Sequence, residues 1–283
     1  MTEVIPGVLR LLADNPGPMT LSGTCTYLLG AETVTIVDPG PAGQQQMGLL
    51  ERRVAGRPVG AILLTHAHLD HSGSAERAAE FFEAPILGSA ATLERLNLTG
   101  RPLADGAPVV PGDLDGSIVA MHTPGHSSDH VCFFLEGARA VFTGDLVLGT
   151  GTSAILYPDG CVTEYLASLQ RLERVDPVFL LPGHGPLVKN ATEKLREYSE
   201  HRLNREQQIL GAVTAGASTL AAVREEVYGS LAPGLDTPAE LSICAHLQRL
   251  GAGASSSRDG EDRLRSLLEE CACTWGKRPA TDP

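Results

Sequence analysis

Three histidines and one aspartate crowd into six consecutive positions early in the chain. The segment reads His66-Ala67-His68-Leu69-Asp70-His71 and directly follows the apolar run Ala61-Ile62-Leu63-Leu64. Residues two apart on an extended chain share a face, so a strand that ends here aims His66 and His68 to one side. The turn that follows brings Asp70 and His71 to a second position. Imidazole nitrogen and carboxylate oxygen suit zinc, with iron or manganese as alternatives. The segment therefore predicts a metal site at the end of a strand.

Three later segments each place one more ligand-type residue in a glycine-containing turn after an apolar stretch. They are Thr123-Pro124-Gly125-His126, Thr143-Gly144-Asp145 and Leu181-Pro182-Gly183-His184-Gly185. Glycine lets the backbone bend close to a ligand where a side chain would clash. Together with the first segment, these turns supply seven ligands, which is enough for two metal ions.

The order of these seven residues resembles the ligand pattern of the metallo-β-lactamase superfamily over roughly residues 1 to 200. The resemblance implies that one metal is held by three histidines, which are His66, His68 and His126. It implies that the second metal is held by Asp70, His71 and His184. Asp145 is implied to bridge the two metals. Asp38 is implied to lie behind the ligands, and His130 to orient a ligand or to meet the substrate.

Two other segments narrow the resemblance to the β-lactamase-like protein 2 branch of that superfamily. They run from Asn15 to Tyr27 and from His201 to Ile209. The branch includes endoribonucleases and, among its relatives, thioesterases that release polyketides from carrier proteins. One departure from the branch pattern is Cys25, where its members usually carry asparagine.

The resemblance implies a hydrolase in which two metal ions share a hydroxide nucleophile. Asp70 is assigned the role of orienting that hydroxide and taking up its proton. The favoured reaction is hydrolysis of a thioester or related acyl bond in a small molecule carried by coenzyme A or an acyl carrier protein. Single-stranded RNA cleavage is the alternative, and a non-catalytic binding protein is the third hypothesis. A formal net charge of −12 favours the thioester, because an acidic protein repels a polyanion at long range.

The composition describes an ordinary globular protein. The chain has 283 residues, of which 42% are hydrophobic and 20% charged, so it is long enough for one large domain and a small appendage. The first residues show neither a basic nor an apolar signal region, so we expect a cytoplasmic enzyme. No apolar run approaches the roughly 18 residues that span a bilayer. The six cysteines lack a framework spacing and are expected to be reduced.

Strand and helix patterns alternate over the first two thirds of the chain. Strands are expected at 26–30, 33–38, 85–87, 117–122, 131–135, 140–143 and 178–181. Helices are expected at 43–54, 74–82 and 162–175. Residues 97–116 are expected to form a long loop or short irregular strands. This order predicts an α/β fold, a four-layer αβ/βα sandwich with the metals at one edge of its two sheets.

The composition changes after Pro186, and we expect a catalytic domain at 1–190, a helical unit at 191–273 and a disordered tail at 274–283. Helices at 191–213, 220–227 and 238–250 resemble a small winged-helix-like unit, with a Ser/Gly/Asp stretch at 253–260 in place of its hairpin. The unit carries few basic residues, which disfavours DNA binding. A lid over the active site or a contact in a homodimer is the favoured role.

Overall fold

The computed structural model describes residues 2–109, 117–251 and 258–276. The chain divides into two compact units. The first comprises residues 1–123, 129–153 and 170–195, and the second comprises 124–128, 154–169 and 196–283. The predicted boundary after residue 190 stays a prediction. In the described ranges, no helix is both long and apolar enough to cross a membrane.

The first sheet has seven strands that lie side by side in chain order. They are β1 (Thr2–Ile5), β2 (Val8–Leu12), β3 (Cys25–Leu29), β4 (Val34–Val37), β5 (Val59–Leu63), β6 (Ile86–Gly88) and β7 (Arg101–Pro102). Strands β1 to β4 form an antiparallel meander, which confirms the hairpin predicted for 26–30 and 33–38. Strands β4 to β7 are parallel, and Val37 pairs with Leu63. The residues that follow β4 and β5 therefore emerge at the same edge of the sheet.

The second sheet has five strands in the order β12-β11-β10-β9-β8. They are β8 (Pro108–Val109), β9 (Ile118–His122), β10 (Val131–Leu135), β11 (Ala140–Gly144) and β12 (Phe179–Pro182). Strands β11 and β12 are parallel, with Gly144 paired to Pro182, so the residues after both strands also emerge at one edge. The short strands β7 and β8 confirm the irregular strands expected for 97–109. Residues 110–116 of that predicted loop lie outside the described residues.

Nine helices are described. They are α1 (Gln44–Val54), α2 (Leu69–Ser72), α3 (Ala75–Phe82), α4 (Ala90–Leu96), α5 (Val162–Arg174), α6 (Ala191–Ala215), α7 (Leu220–Tyr228), α8 (Asp236–Gly251) and α9 (Arg258–Trp275). In the first unit, α1 and α3 cover one face of the first sheet, where Met47, Leu50 and Ala78 join its apolar core. The other face packs on the second sheet, and Tyr27 meets Phe142 edge to face at 5.2 Å. The predicted α/β sandwich is confirmed.

The second unit is mainly helical, as predicted, but it contains one helix more than expected. Helix α9 begins at Arg258 and ends at Trp275. The last three residues of the Ser/Gly/Asp stretch at 253–260 are helical, and α9 extends into the first two residues of the tail expected from Thr274. Residues 252–257 and 277–283 lie outside the described residues. The buried side chains of Leu264, Leu267 and Cys271 recur at helical spacing, and this pattern could have predicted α9.

One pair of cysteines corrects the expectation that all six are reduced. Cys244 in α8 and Cys271 in α9 form a disulfide, with their Cα atoms 5.8 Å apart. The two residues are 27 positions apart, so only the packing of α9 against α8 brings them together. Without knowledge of α9, nothing in the spacing of the cysteines indicates this pair. Cys25, Cys132, Cys161 and Cys273 are free thiols.

His246 in α8 is fully buried, and neither ring nitrogen has a hydrogen-bond partner within the described parts of the chain. Burial, together with the charges of Arg202, Arg205 and Arg249, lowers the pKa of His246 from the usual 6.5 to about 3. The folded state therefore binds the proton more weakly than the unfolded state does. This difference stabilises the fold above pH 6.5, and the stabilisation is lost as the pH falls toward 3.

We expect the metal-free protein to lose ~3 kcal/mol of unfolding free energy through His246 between pH 7 and pH 4.5. The variant His246→Leu should lack this part of the acid sensitivity. Urea denaturation of both metal-free proteins at the two pH values measures it. An equal loss in both proteins would show that His246 does not titrate in this range.

Candidate metal centre

The ends of three strands and one short helix deliver the potential ligands of the first unit to one place. His66 and His68 follow β5, Asp70 and His71 lie in α2, and Asp145 and His184 follow β11 and β12. The turns are tight: a Cβ on Gly183 would lie 2.4 Å from Cε1 of His71 and 2.7 Å from Oδ1 of Asp145. Glycine at position 183 is therefore needed for His71 and Asp145 to approach the turn that carries His184.

Five distances between donor atoms of Asp70, His71, Asp145 and His184 suit a metal ion. Nε2 of His184 lies 3.1 Å from Oδ2 of Asp70 and 3.2 Å from Nε2 of His71. Nε2 of His71 lies 3.4 Å from the same Asp70 oxygen. Oδ1 of Asp145 is 3.3 Å from both imidazole nitrogens. Zinc bonds of about 2.1 Å in a tetrahedron place neighbouring ligand atoms about 3.4 Å apart. The spacing of these four donors therefore fits a tetrahedral ion.

A second group of potential ligands in the first unit consists of His66, His68 and Asp145, whose donor atoms all lie within 4.8 Å of one another. Nε2 of His66 and Nδ1 of His68 approach to 2.9 Å. His66 and Asp145 are buried, and His68 is exposed. His126, the third histidine that the sequence predicts for this group, is buried and lies in the second unit. Imidazoles and a carboxylate form a donor set that fits zinc, iron or manganese.

Three of the histidines that the sequence predicts as ligands bind a hydrogen-bond acceptor through Nδ1. Nδ1 of His66 contacts Oγ1 of Thr65 at 2.9 Å, and Nδ1 of His71 contacts Oδ2 of Asp38 at 2.8 Å. Nδ1 of His126 lies 2.8 Å from the carbonyl oxygen of Ala154. A proton held at Nδ1 leaves the lone pair of Nε2 for a metal, which is the usual arrangement behind metal-bound histidine.

Asp38 connects β4 to the segment that carries the ligands. One carboxylate oxygen accepts the backbone N–H of Thr65 at 2.8 Å. The other accepts the Thr65 hydroxyl at 2.7 Å and Nδ1–H of His71 at 2.8 Å. Asp38 is only 2% exposed. Water therefore has little access to accept these three hydrogen bonds if the carboxylate is removed. Asp38 therefore lies behind the potential ligands and holds His71 directly and His66 through Thr65.

We expect Asp38→Ala to weaken metal binding by about 10- to 100-fold. It should also lower the unfolding free energy by roughly 3 kcal/mol, because three buried donors lose their acceptor. Competition with a chromophoric chelator measures the affinity, and urea denaturation measures the stability. The control is Asp176→Ala, which removes an exposed carboxylate paired with Arg139. Equal metal affinity in both variants would contradict the role of Asp38.

The centre carries opposed charges in the absence of a cation. Burial disfavours the charged imidazole of His71, but Asp145 and Asp38 outweigh it and raise its pKa well above the usual value. Burial likewise opposes the charge on His184, while Asp145 and Asp70 raise its pKa to about 9. Although burial acts to raise it, the pKa of Asp145 falls well below its usual value beside His71 and His184. A cation must displace these protons, so metal affinity should fall as the pH is lowered.

His130 and Asp129 support the centre from the start of β10. Nε2 of His130 accepts the backbone N–H of Asp145 at 3.3 Å, and its side chain is almost fully buried. The Asp129 carboxylate accepts the N–H of Ala67 at 2.8 Å and the hydroxyl of Thr92 at 2.8 Å. Sequence reasoning singled out His130 but missed Asp129, although the two are adjacent. The role of Asp129 depends on its burial and on its contacts with Ala67 and Thr92, which the sequence does not show.

Comparisons with known proteins agree with this geometry. Residues 19–184 match the family model described as Metallo-beta-lactamase superfamily. The chain is 32% identical to the Atrochrysone carboxyl ACP thioesterase of Aspergillus fumigatus, over 80% of this chain and 75% of that protein. It is 34% identical to the Beta-lactamase-like protein 2 homolog of Caenorhabditis elegans, over 72% of this chain and 70% of that protein.

A solved structure shows the same fold at lower sequence identity. The beta-lactamase domain protein from Burkholderia ambifaria superposes with a TM-score of 0.80 and 21% identity, over 92% of this chain and 91% of that one. The resemblance inferred from the sequence is therefore confirmed for the family and its branch. The chain belongs to the metallo-β-lactamase superfamily.

Proposed function

We propose that this member of the superfamily is a binuclear, zinc-dependent thioesterase. It hydrolyses the thioester of a small acyl molecule carried by an acyl carrier protein or by coenzyme A. The observation that carries the metal chemistry is the tetrahedral spacing of Asp70, His71, His184 and Asp145. The acyl substrate is supported by similarity to the ACP thioesterase of Aspergillus fumigatus.

The proposed ligand sets combine the two groups of donors with His126, the ligand that the resemblance implies. His66, His68 and His126 hold the first ion, and Asp70, His71 and His184 hold the second. Asp145 belongs to the first group and its Oδ1 also lies 3.3 Å from two donors of the second, so we assign it the bridging position. When bound, the ions supply Lewis acidity and lower the pKa of a water molecule to near 7.

Asp70 is the proposed proton acceptor. Its side chain is 28% exposed, whereas His71 and His184 beside it are buried, so it can reach both the donors and an incoming water. Burial acts to raise the pKa of Asp70, but His184 and His71 lower it overall, which keeps the carboxylate ionised at neutral pH. Asp70 accepts a proton as water attacks the thioester carbonyl carbon. The carbon–sulfur bond then breaks, and the proton passes to the leaving thiolate.

Cleavage of single-stranded RNA is the second candidate, supported by similarity to the Beta-lactamase-like protein 2 homolog. The net charge of −12 opposes it, since RNA binding depends on neutralising phosphates. The two reactions respond differently to salt. RNA cleavage should slow steeply as salt is added at subsaturating substrate, whereas turnover of a neutral acyl thioester should change little.

The test is a comparison of rates on a panel of short acyl thioesters and on single-stranded RNA at two salt concentrations. The panel presents each acyl group on a small neutral thiol, on coenzyme A and on an acyl carrier protein, and the effect of salt is compared between the neutral thioester and the RNA. Salt-insensitive thioester turnover supports the proposal, and a preference for the carrier protein identifies the partner. Salt-sensitive RNA cleavage without thioester turnover would replace the proposal with the second candidate.

A further inference from the structure

The segment just before β3 contacts two ligands of the proposed second metal. Thr24 and His184 form an isolated antiparallel bridge. The carbonyl oxygen of Gly23 lies 3.3 Å from Nδ1 of His184. Thr24 is fully buried, and its Oγ1 lies 3.3 Å from Oδ2 of Asp70. Two consecutive residues therefore each contact a different ligand, and neither was among the expected site residues.

The contacts of Asn15 determine which way the Thr24 hydroxyl donates. The backbone N–H of Thr24 can only donate, and it lies 2.9 Å from Oδ1 of Asn15, which fixes the orientation of that amide. The amide nitrogen of Asn15 then donates to Oγ1 of Thr24 at 2.9 Å. Because the hydroxyl accepts this bond, its single hydrogen is directed to Asp70, whose ionised carboxylate can only accept.

Glycine at position 23 allows the segment before β3 to pass close to the backbone of Ala13. Its φ of +128° lies in a region that other residues rarely adopt. A Cβ there would lie 2.1 Å from the carbonyl oxygen of Ala13. The hydroxyl of Thr20 also donates to the carbonyl of Asn15 at 2.6 Å, which anchors the start of the segment. The backbone of residues 15–24 is therefore held by the Thr20 hydrogen bond and by the close packing of Gly23 on Ala13.

We propose that Asn15, Gly23 and Thr24 are positioning residues for the second metal site. Thr24 orients the Asp70 carboxylate and Gly23 orients the imidazole of His184, while Asn15 acts through Thr24. This inference rests on the proposed function, because it takes Asp70 and His184 as metal ligands. It gives a physical role to an early segment that otherwise only marks the branch of the family.

Removing the Thr24 hydroxyl should weaken the binding of one metal ion and leave the binding of the other unchanged. We expect Thr24→Val to lower the affinity for one of two zinc ions by about 10- to 100-fold. This is the usual effect of losing a group that orients a ligand. Thr24→Ser keeps the hydroxyl and should hold both ions with nearly wild-type affinity. At saturating zinc, Thr24→Val should lower kcat for an acyl thioester more than it raises KM, because Asp70 reacts with water and not with the resting substrate.

The experiment is a stepwise zinc titration against a chromophoric chelator for wild type, Thr24→Val, Thr24→Ser and Asn15→Ala. The matched control is Thr35→Val, which removes a fully buried hydroxyl that has no hydrogen-bond partner within the described ranges. Asn15→Ala should weaken the same ion as Thr24→Val does. In the Thr24→Val background it should cause no further loss, because it acts through the missing hydroxyl.

The possible results separate the two proposals. Selective loss of one ion in Thr24→Val, with rescue by serine, supports the positioning role. Two ions held by Thr24→Val as tightly as by wild type would overturn that role and leave the proposed function intact. A wild-type protein that binds fewer than two zinc ions would overturn both.

Discussion

Replacing Asp145 with alanine is expected to remove at least one of the two metal ions and to lower kcat/KM for an acyl thioester by about 10³-fold or more. Oδ1 of Asp145 lies 3.3 Å from Nε2 of both His71 and His184, and the residue also belongs to the group that contains His66. Its loss removes a negative charge shared by both sets of imidazoles. A metal ion supplies several kcal/mol of transition-state stabilisation, which corresponds to such a factor. Metal analysis and steady-state kinetics measure the two effects.

The control for this variant is Asp105→Ala. Asp105 is paired with Arg171 and accepts the N–H of His122, so its replacement removes an aspartate that lies outside both donor groups. Asp105→Ala should bind two metal ions and hydrolyse the thioester at the wild-type rate. Full turnover by Asp145→Ala with an intact content of two ions would refute the bridging role.

The variant Asp70→Asn is expected to lower kcat for a thioester by roughly 10²- to 10⁴-fold, the usual range for a lost general base. Asparagine keeps the size of the side chain and one oxygen, but its amide cannot take up a proton at neutral pH. The variant should retain the ion held by the histidines of the first group. Single-turnover kinetics on the metal-saturated variant separate this effect from loss of metal.

A matched control for Asp70→Asn is Asp14→Asn. Asp14 is exposed, and within the described ranges its carboxylate accepts a hydrogen bond only from Gln45. It makes the same chemical change away from the donors and should leave kcat unaltered. If Asp70→Asn binds two ions and turns over at the wild-type rate, proton transfer must depend on another group.

The part of the centre that the sequence predicts is the part that directly follows strands. His66, Asp145 and His184 each come after an apolar strand, and the pairing of β11 with β12 places two of those strand ends at one edge. The side-chain types are distinctive and closely spaced, so a metal site could be inferred before any fold was known.

The supporting contacts could not be inferred in the same way. Thr24 is 46 positions from Asp70, and Asp129 is 62 positions from Ala67. Threonine, aspartate and glycine are common in loops, so nothing in their type or spacing connects them to a distant ligand. These contacts depend on the register between strands and turns, which short sequence patterns do not determine.

The helical second unit shows another reason why the sequence does not predict the whole fold. Helices α6, α7 and α8 have patterns long enough to predict, whereas α9 follows a Ser/Gly/Asp stretch that is typical of loops. Asp259 and Glu261 in the first turn of α9 suit the positive end of a helix, but the glycine between them weakens the helical signal. Missing this helix also meant missing the disulfide between Cys244 and Cys271.

The most direct test of the proposed function is a zinc titration of the metal-free protein, followed both as bound metal and as the rate of hydrolysis of an acyl thioester on a carrier protein. We expect two zinc ions to bind per chain and the full rate to appear only when the second site fills. Full turnover with no metal or with one ion would contradict a binuclear hydrolase. Two bound ions without thioester cleavage would contradict the proposed thioester substrate and favour the second candidate, RNA cleavage.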